Sequence, residues 1–202
     1  VPDFSDELEH WLSTAIQAGH INQGYFQYQG SLNKGAAPES RSLSLYFDVH
    51  NAQLEYQPGW PALTDATAQV LIEDSGVRIS VDQGKILNSP VSRAYAEVTY
   101  GAAGAIPVLQ LHAQLQSSVR DGLYFLQKTP LASTAIEFAQ WRGQGALPAV
   151  LDLTVPLAAQ QPVHIKVALN AHKAELDIPD INVQLRNLTG QFVFDSQRGL
   201  SA

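Results

Sequence analysis

Asn51–Leu63 reads NAQLEYQPGWPAL and leads into Thr67–Ile72, TAQVLI. The pattern predicts a strand, a proline turn and a second strand. Its skeleton returns later without a gap, since Ala52, Leu54, Leu63, Thr67 and Gln69 recur as Ala174, Leu176, Leu185, Thr189 and Gln191. At non-identical positions, Val70 and Ile72 fall opposite Phe192 and Phe194, which keeps an apolar side chain on the same side of each strand. The expectation is a repeated strand–turn–strand unit at residues 52–72 and 174–194.

Working outward, the composition fits a β protein. Charged residues make up 15% of the 202 residues, against roughly 25% in ordinary soluble domains. Uncharged polar residues, including nineteen Gln, fill the gap, which suits wet strand faces better than charged surface helices. A net charge of −7 without a Lys/Arg cluster argues against nucleic acid and against an anionic membrane surface. The chain has no cysteine, so it carries no disulfide framework and no thiolate metal site. It contains no spanning helix or signal peptide, and the lack of any Met predicts a single internal segment, 1–202, of a longer chain.

In order, Leu8, Trp11, Leu12, Ala15 and Ile16 have the spacing of one buried helix face, predicting a helix near Ser5 to Ala18 that Gly19 ends. The period then changes to two over Ile21 to Leu32. Leu43, Leu45, Phe47 and Val49 alternate with polar residues, but the apolar parity slips to Ala52 and Leu54, the mark of a β-bulge. Strands follow at Gln69 to Glu73, Gly76 to Asp82, Val91 to Tyr100 and Val108 to Leu115. Two short helices are predicted at Ser118 to Lys128, stopped by Pro130, and at Thr134 to Arg142, with Ile136, Ala139 and Trp141 inward. Strands resume at Leu147 to Val155, Val163 to Leu169, Ala174 to Ile178, Asn182 to Leu185 and Gln191 to Phe194. The fold class is therefore mainly β, a curved antiparallel sheet with about three short helices.

Catalytic signatures are missing. The six His residues show no i, i+4 or i, i+2 pair, so no metal ligand set is proposed, and the acidic residues fall mostly on polar strand sides. Gly101 to Gly104 lacks the lysine and helix of a phosphate loop, and no Ser sits in a nucleophile elbow. Trp60, between Gly59 and Pro61, is either an exposed platform or a turn residue folded onto the sheet. The informative feature is a succession of one-sided strands. Leu151, Leu153 and Val155; Val163, Ile165, Val167 and Leu169; Leu176 and Ile178; Val183 and Leu185; and Phe192 and Phe194 present apolar faces, as do Val70 and Ile72. Such a face must pack on another sheet, on helices or on something that is not protein. From the residues alone a closed, structural or adhesive β-sandwich is favoured, with a hydrolase a distant third.

The chain also resembles the large AsmA-like envelope proteins of Gram-negative bacteria, and most closely the YhdP family, related in architecture to TamB. The resemblance rests on Trp11-Leu12-Ser13-Thr14-Ala15-Ile16 with Gly24-Tyr25-Phe26-Gln27-Tyr28-Gln29-Gly30, on Tyr56-Gln57-Pro58-Gly59-Trp60-Pro61, and on Asp121-Gly122-Leu123-Tyr124-Phe125-Leu126 before Thr129-Pro130-Leu131. Leu188-Thr189-Gly190-Gln191-Phe192-Val193-Phe194-Asp195-Ser196 before Gly199-Leu200 completes it. It implies a non-enzymatic, periplasmic segment of a protein anchored in the inner membrane by an N-terminal helix outside this chain. It further implies an open hydrophobic β-groove that takes phospholipid acyl chains between inner and outer membranes and supports the outer-membrane permeability barrier. Neighbouring segments of the parent chain would be its partners. No cofactor is implied, and the apolar residues named above become the groove candidates.

Overall fold

A computed structural model of the chain describes residues 16–31, 41–55, 58–99, 105–133, 135–157 and 161–201. Eleven strands lie in one antiparallel sheet: β1 (Ile16–Gly30), β2 (Arg41–Leu54), β3 (Leu63–Glu73), β4 (Gly76–Ile86), β5 (Ser89–Thr99), β6 (Val108–Leu115), β7 (Arg142–Ala146), β8 (Ala149–Pro156), β9 (His164–Ile178), β10 (Val183–Asp195) and β11 (Gly199–Ser201). Their spatial order is β1-β2-β3-β4-β5-β6-β8-β9-β10-β11, with β7 beside the second half of β9. Strands neighbouring in the chain also neighbour in space, the exception being that β6 pairs with β8 while β7 lies beside β9. The sheet is curved and open.

The curvature comes from bulges placed in line. Asn51 in β2, Asp65 in β3, Lys173 in β9 and Asn187 in β10 all have left-handed backbones, with φ of 50°, 52°, 50° and 56°. Each inserts an extra residue, shifts the pairing and swaps the inward parity, so Val49 gives way to Ala52 and Ala171 to Ala174. Every strand concerned has an upper arm and a lower arm meeting at the bulge. The hairpins β2–β3 and β9–β10 share one register. Leu54 faces Leu63 as Leu176 faces Leu185, and Phe47 faces Val70 as Leu169 faces Phe192. The same length of chain separates Asn51 from Lys173 and Asp65 from Asn187.

These bulges also correct the strand list. The strands expected at Val163 to Leu169 and Ala174 to Ile178 merge into one, β9, which starts at His164, and those expected at Asn182 to Leu185 and Gln191 to Phe194 merge into β10, which starts at Val183. The parity slip resembled a break, but the chain bends through a single left-handed residue and keeps pairing.

One α-helix, α1 (Val119–Lys128), interrupts the sheet where the lower arm of β6 would run. Ser118 caps it, its hydroxyl accepting the Asp121 N–H at 3.1 Å, a contact that typically contributes about 1 kcal/mol. The second helix predicted here, over 134–142, does not form. Short 3₁₀ turns occupy Pro130–Ser133 and Ile136–Phe138, and Arg142 already opens β7. Gln127 Nε2 donates to the Phe138 and Trp141 carbonyls at 2.7 and 2.8 Å, replacing partners that a longer helix would supply. Ile136, expected inward, is 75% exposed, whereas Trp141 does pack inward. The helix expected over residues 5–18 lies mostly outside the described residues. Its last part, Ile16–Ala18, is strand, paired with Leu54 and Gln53 because β2 offers a free edge of donors and acceptors. No helix among the described residues is long and apolar enough to cross a membrane.

Candidate functional site

Directly opposed residues on neighbouring strands share a face, so the pairing register traces rows across the sheet. One row runs Ile21, Val49, Ala68, Val81, Ala94, Ala113, Leu151, Val167, Phe194, from β1 to β10. A second runs Phe47, Val70, Ile79, Ala96, Leu111, Leu153, Ile165. A third runs Phe26, Leu45, Ile72, Val77, Val98, Leu109, Val155. At about 4.8 Å between strands, the longest row extends about 38 Å. Nothing in it is polar.

The residues behind these rows are of opposite character. Asp48, Gln69, Ser80, Tyr95, His112, Asp152, Lys166 and Asp195 form a single polar row on the outer face. His112 Nδ1 and Asp152 Oδ1 lie 2.7 Å apart, and His164 Nε2 and Asp195 Oδ1 lie 3.3 Å apart. The Asp195 carboxyl is held below the usual range, chiefly by the Gln197 N–H at 2.8 Å and also by His164. The Tyr95 hydroxyl is pushed up by desolvation and by Glu97. These pairs lie apart on an exposed surface. Among the described residues, no three His, Cys, Asp or Glu side chains are grouped to hold a metal.

The sequence-derived candidates all fall on the apolar side. Val70, Ile72, Leu151, Leu153, Val155, Ile165, Val167, Leu169, Phe192 and Phe194 belong to the upper arms, and Leu176, Ile178, Val183 and Leu185 to the lower arms. Val163 shares the parity but precedes β9 and is 38% exposed, like Leu185. Most of the others are half-buried. Among the described residues no second sheet lies over this face, so the closed sandwich favoured by the residues alone is not the arrangement. A sandwich seals such side chains; among the described residues Leu157 and α1 cover only part of them. Leu157, after β8, packs at one end on Ile72, Val77 and Val98.

The other cover is α1, and its anchor was not legible as a site in the sequence. Val119 and Leu123 pack on Ala171 and Ala174, with Leu176, Leu188, Phe192, Trp141 and Leu147 around them. The seat is made of small residues. A Cβ on Gly143 would come within 2.5 Å of Val119 Cγ1 and 2.6 Å of the Glu175 carbonyl. At the helix start, the buried Asp121 carboxylate accepts from Ser89 Oγ at 2.6 Å, from Asn88 N at 3.1 Å and from Asn88 Nδ2 at 3.4 Å. With its one proton on Asp121, Ser89 Oγ accepts from the Ser117 hydroxyl at 3.0 Å. The sequence placed the helix start at Ser118, but only the fold shows that Asp121 also holds the β4–β5 turn. Trp60 is not an exposed platform but half-buried. Its ring meets Phe125 of α1 at 6.2 Å between centroids, and its Nε1 is buried without a partner.

The comparisons agree with this geometry. The family described as YhdP protein matches residues 2–202. Over 192 residues the chain is 24% identical to "Intermembrane phospholipid transporter YhdP" of Escherichia coli (strain K12), a match that covers 93% of this chain and 15% of that relative. The chain thus spans about 15% of the relative's length. No solved structure matches the chain.

Proposed function

This chain belongs to the YhdP family, and on that premise we propose that its apolar face is one stretch of a surface along which phospholipid acyl chains pass between the inner and outer membranes. The observation that carries the proposal is the continuity of the longest apolar row from β1 to β10 on a face that no second sheet covers among the described residues. Each CH₂ moved from water onto such a face gains about 0.8 kcal/mol, so tails are held without any polar recognition. The headgroup stays in water and needs no site. The work is binding and passage, with no bond made or broken.

In this reading the segment sits in the periplasm as part of a longer chain anchored in the inner membrane. Segments on either side continue the path, and the outer-membrane permeability barrier depends on it. The equal registers of β2–β3 and β9–β10 support reading residues 52–72 and 174–194 as two copies of one unit. The test is lipid bound to the full-length protein after gentle extraction, measured by mass spectrometry. Stoichiometric phospholipid of mixed headgroup is expected. A protein that emerges lipid-free from a lipid-replete membrane, folded and intact, overturns the proposal.

A further inference from the structure

Helix α1 occupies part of the same face that the rows leave open. It takes the place where the lower arm of β6 would run and packs on β7 and on β9 around its bulge, on a seat of Gly143, Ala171 and Ala174 shaped to let it approach closely. Its N-terminus is tied to the β4–β5 turn by the Asp121 carboxylate, buried to 3% exposure and supplied with three donors. Its far side touches the β2–β3 turn, where Trp60 meets Phe125. Strands β2 and β9 are six intervals apart in the sheet, about 29 Å if it were flat. A ten-residue helix is about 15 Å long, so the two lower arms curl towards each other around it.

We propose that α1 is a fixed partition that confines acyl chains to the upper arms, with Asp121 as the positioning residue that holds it there. The proposal rests on the acyl-chain reading of the apolar face. Upper-arm residues such as Leu153, Ile165 and Val167 stay half-exposed and available, whereas Ala171 and Ala174 are buried in one cluster with Val119 and Leu123, against which Leu176 and Leu188 pack. An acyl chain entering the seat must displace Val119 and Leu123 and break the Asp121 contacts together. The buried carboxylate makes that displacement unfavourable, because it would lose its donors before regaining water. The helix thereby sets the width of the path.

The test places the full-length protein with phosphatidylethanolamine vesicles containing a trace of phospholipid with a diazirine in its acyl chain. After illumination the adducts are mapped by mass spectrometry. In the native protein they are expected on upper-arm residues, with at least about tenfold fewer on residues 171–176 and 188. In Asp121→Ala, and independently in Leu123→Ser, adducts should spread onto the seat by about fivefold or more while the upper-arm signal persists. Leu123→Ser leaves the carboxylate intact, so the pair separates a freed helix from a misfolded sheet. Equal labelling of both arms in the native protein overturns the partition and leaves the acyl-chain reading standing. Labelling that stays on the upper arms in both variants, with amide exchange showing α1 released, also overturns it. No adducts anywhere on the apolar face would remove the acyl-chain reading itself, and the partition with it.

Discussion

Val167 and Phe194 stand directly opposite each other on β9 and β10, at the end of an apolar row that starts with Ile21 on β1. Immediately behind them, Lys166 and Asp195 face each other across the same two strands on the polar side. One residue step therefore separates two surfaces of opposite character. A carboxylate at Val167 or Leu153 should obstruct acyl chains, because it must shed its hydration or bring water into their path. In cells that depend on the parent protein, Val167→Asp and Leu153→Asp should weaken the outer-membrane barrier, whereas Gln110→Asp and Gln191→Asp, exposed on the outer face, should not. Antibiotic permeability measured beside protein abundance checks this. Full barrier function in well-accumulated Val167→Asp would count against the path.

Lys173 holds a left-handed backbone that Asn51, its counterpart in the other hairpin, tolerates better. Lys173→Asn should stabilise the protein by about 0.5–1 kcal/mol and raise Tm by a few degrees. Asn51→Lys should do the reverse. A melting series on the two variants decides it, and a drop in Tm for Lys173→Asn would mean that the two bends are not equivalent.

The contact between Ser89 Oγ and Asp121 Oδ2 is short, buried and charge-assisted. A double-mutant cycle of Ser89→Ala and Asp121→Asn should give a coupling of about 1–3 kcal/mol in denaturant unfolding. Additive losses would show that the two residues act separately.

Gly143 has no room for a methyl group. Gly143→Ala should destabilise by roughly 2 kcal/mol through clashes with Val119 and with the Glu175 carbonyl. Adding Val119→Ala should recover only part of this, since the backbone oxygen stays. Complete recovery, read from the unfolding midpoint, would place the whole clash on the valine.

Asp195 carries the pH dependence of the β10–β11 end. Its folded pKa is depressed, so its contribution is complete above the unfolded value of about 3.9 and is lost as pH falls through the lower folded value. Amide exchange at 195–199 should rise in that acid window, and Asp195→Asn should flatten the rise. An identical acid response in the variant would assign the effect to another group.

The strands were legible because their period is simple and one face is apolar. Val108–Leu115 is a strand with the predicted bounds, and α1 starts beside the predicted Ser118. What misled was continuity through a bend. Lys173 gives no turn signal, and Asn187 was embedded in a run that looked structural, so β9 and β10 each read as two strands. Residues 134–142 had a helical period, yet Ala135 sits outside helical geometry at φ −115°, ψ 38°, and Gln127 ties the segment into turns instead. For the candidate surface, parity within a strand assigned sides correctly, because opposed partners cannot point to different faces. The seat of α1 was invisible, since Gly143 and Ala174 acquire meaning only when distant strands are brought beside the helix.

On the proposed reading, the rows also govern motion. A hydrocarbon chain advancing along one leaves methyl groups on one strand as it meets matching groups on the next, so gains and losses nearly cancel at every step. Depth of binding and height of barrier are thereby decoupled: the surface can hold a tail firmly against water while resisting its displacement hardly at all. A row uniform in this way favours neither direction, and on the proposed reading net flow must come from a difference in lipid supply at the two ends. On that reading the surface behaves as a rail, bent in β2, β3, β9 and β10 where their bulges lie.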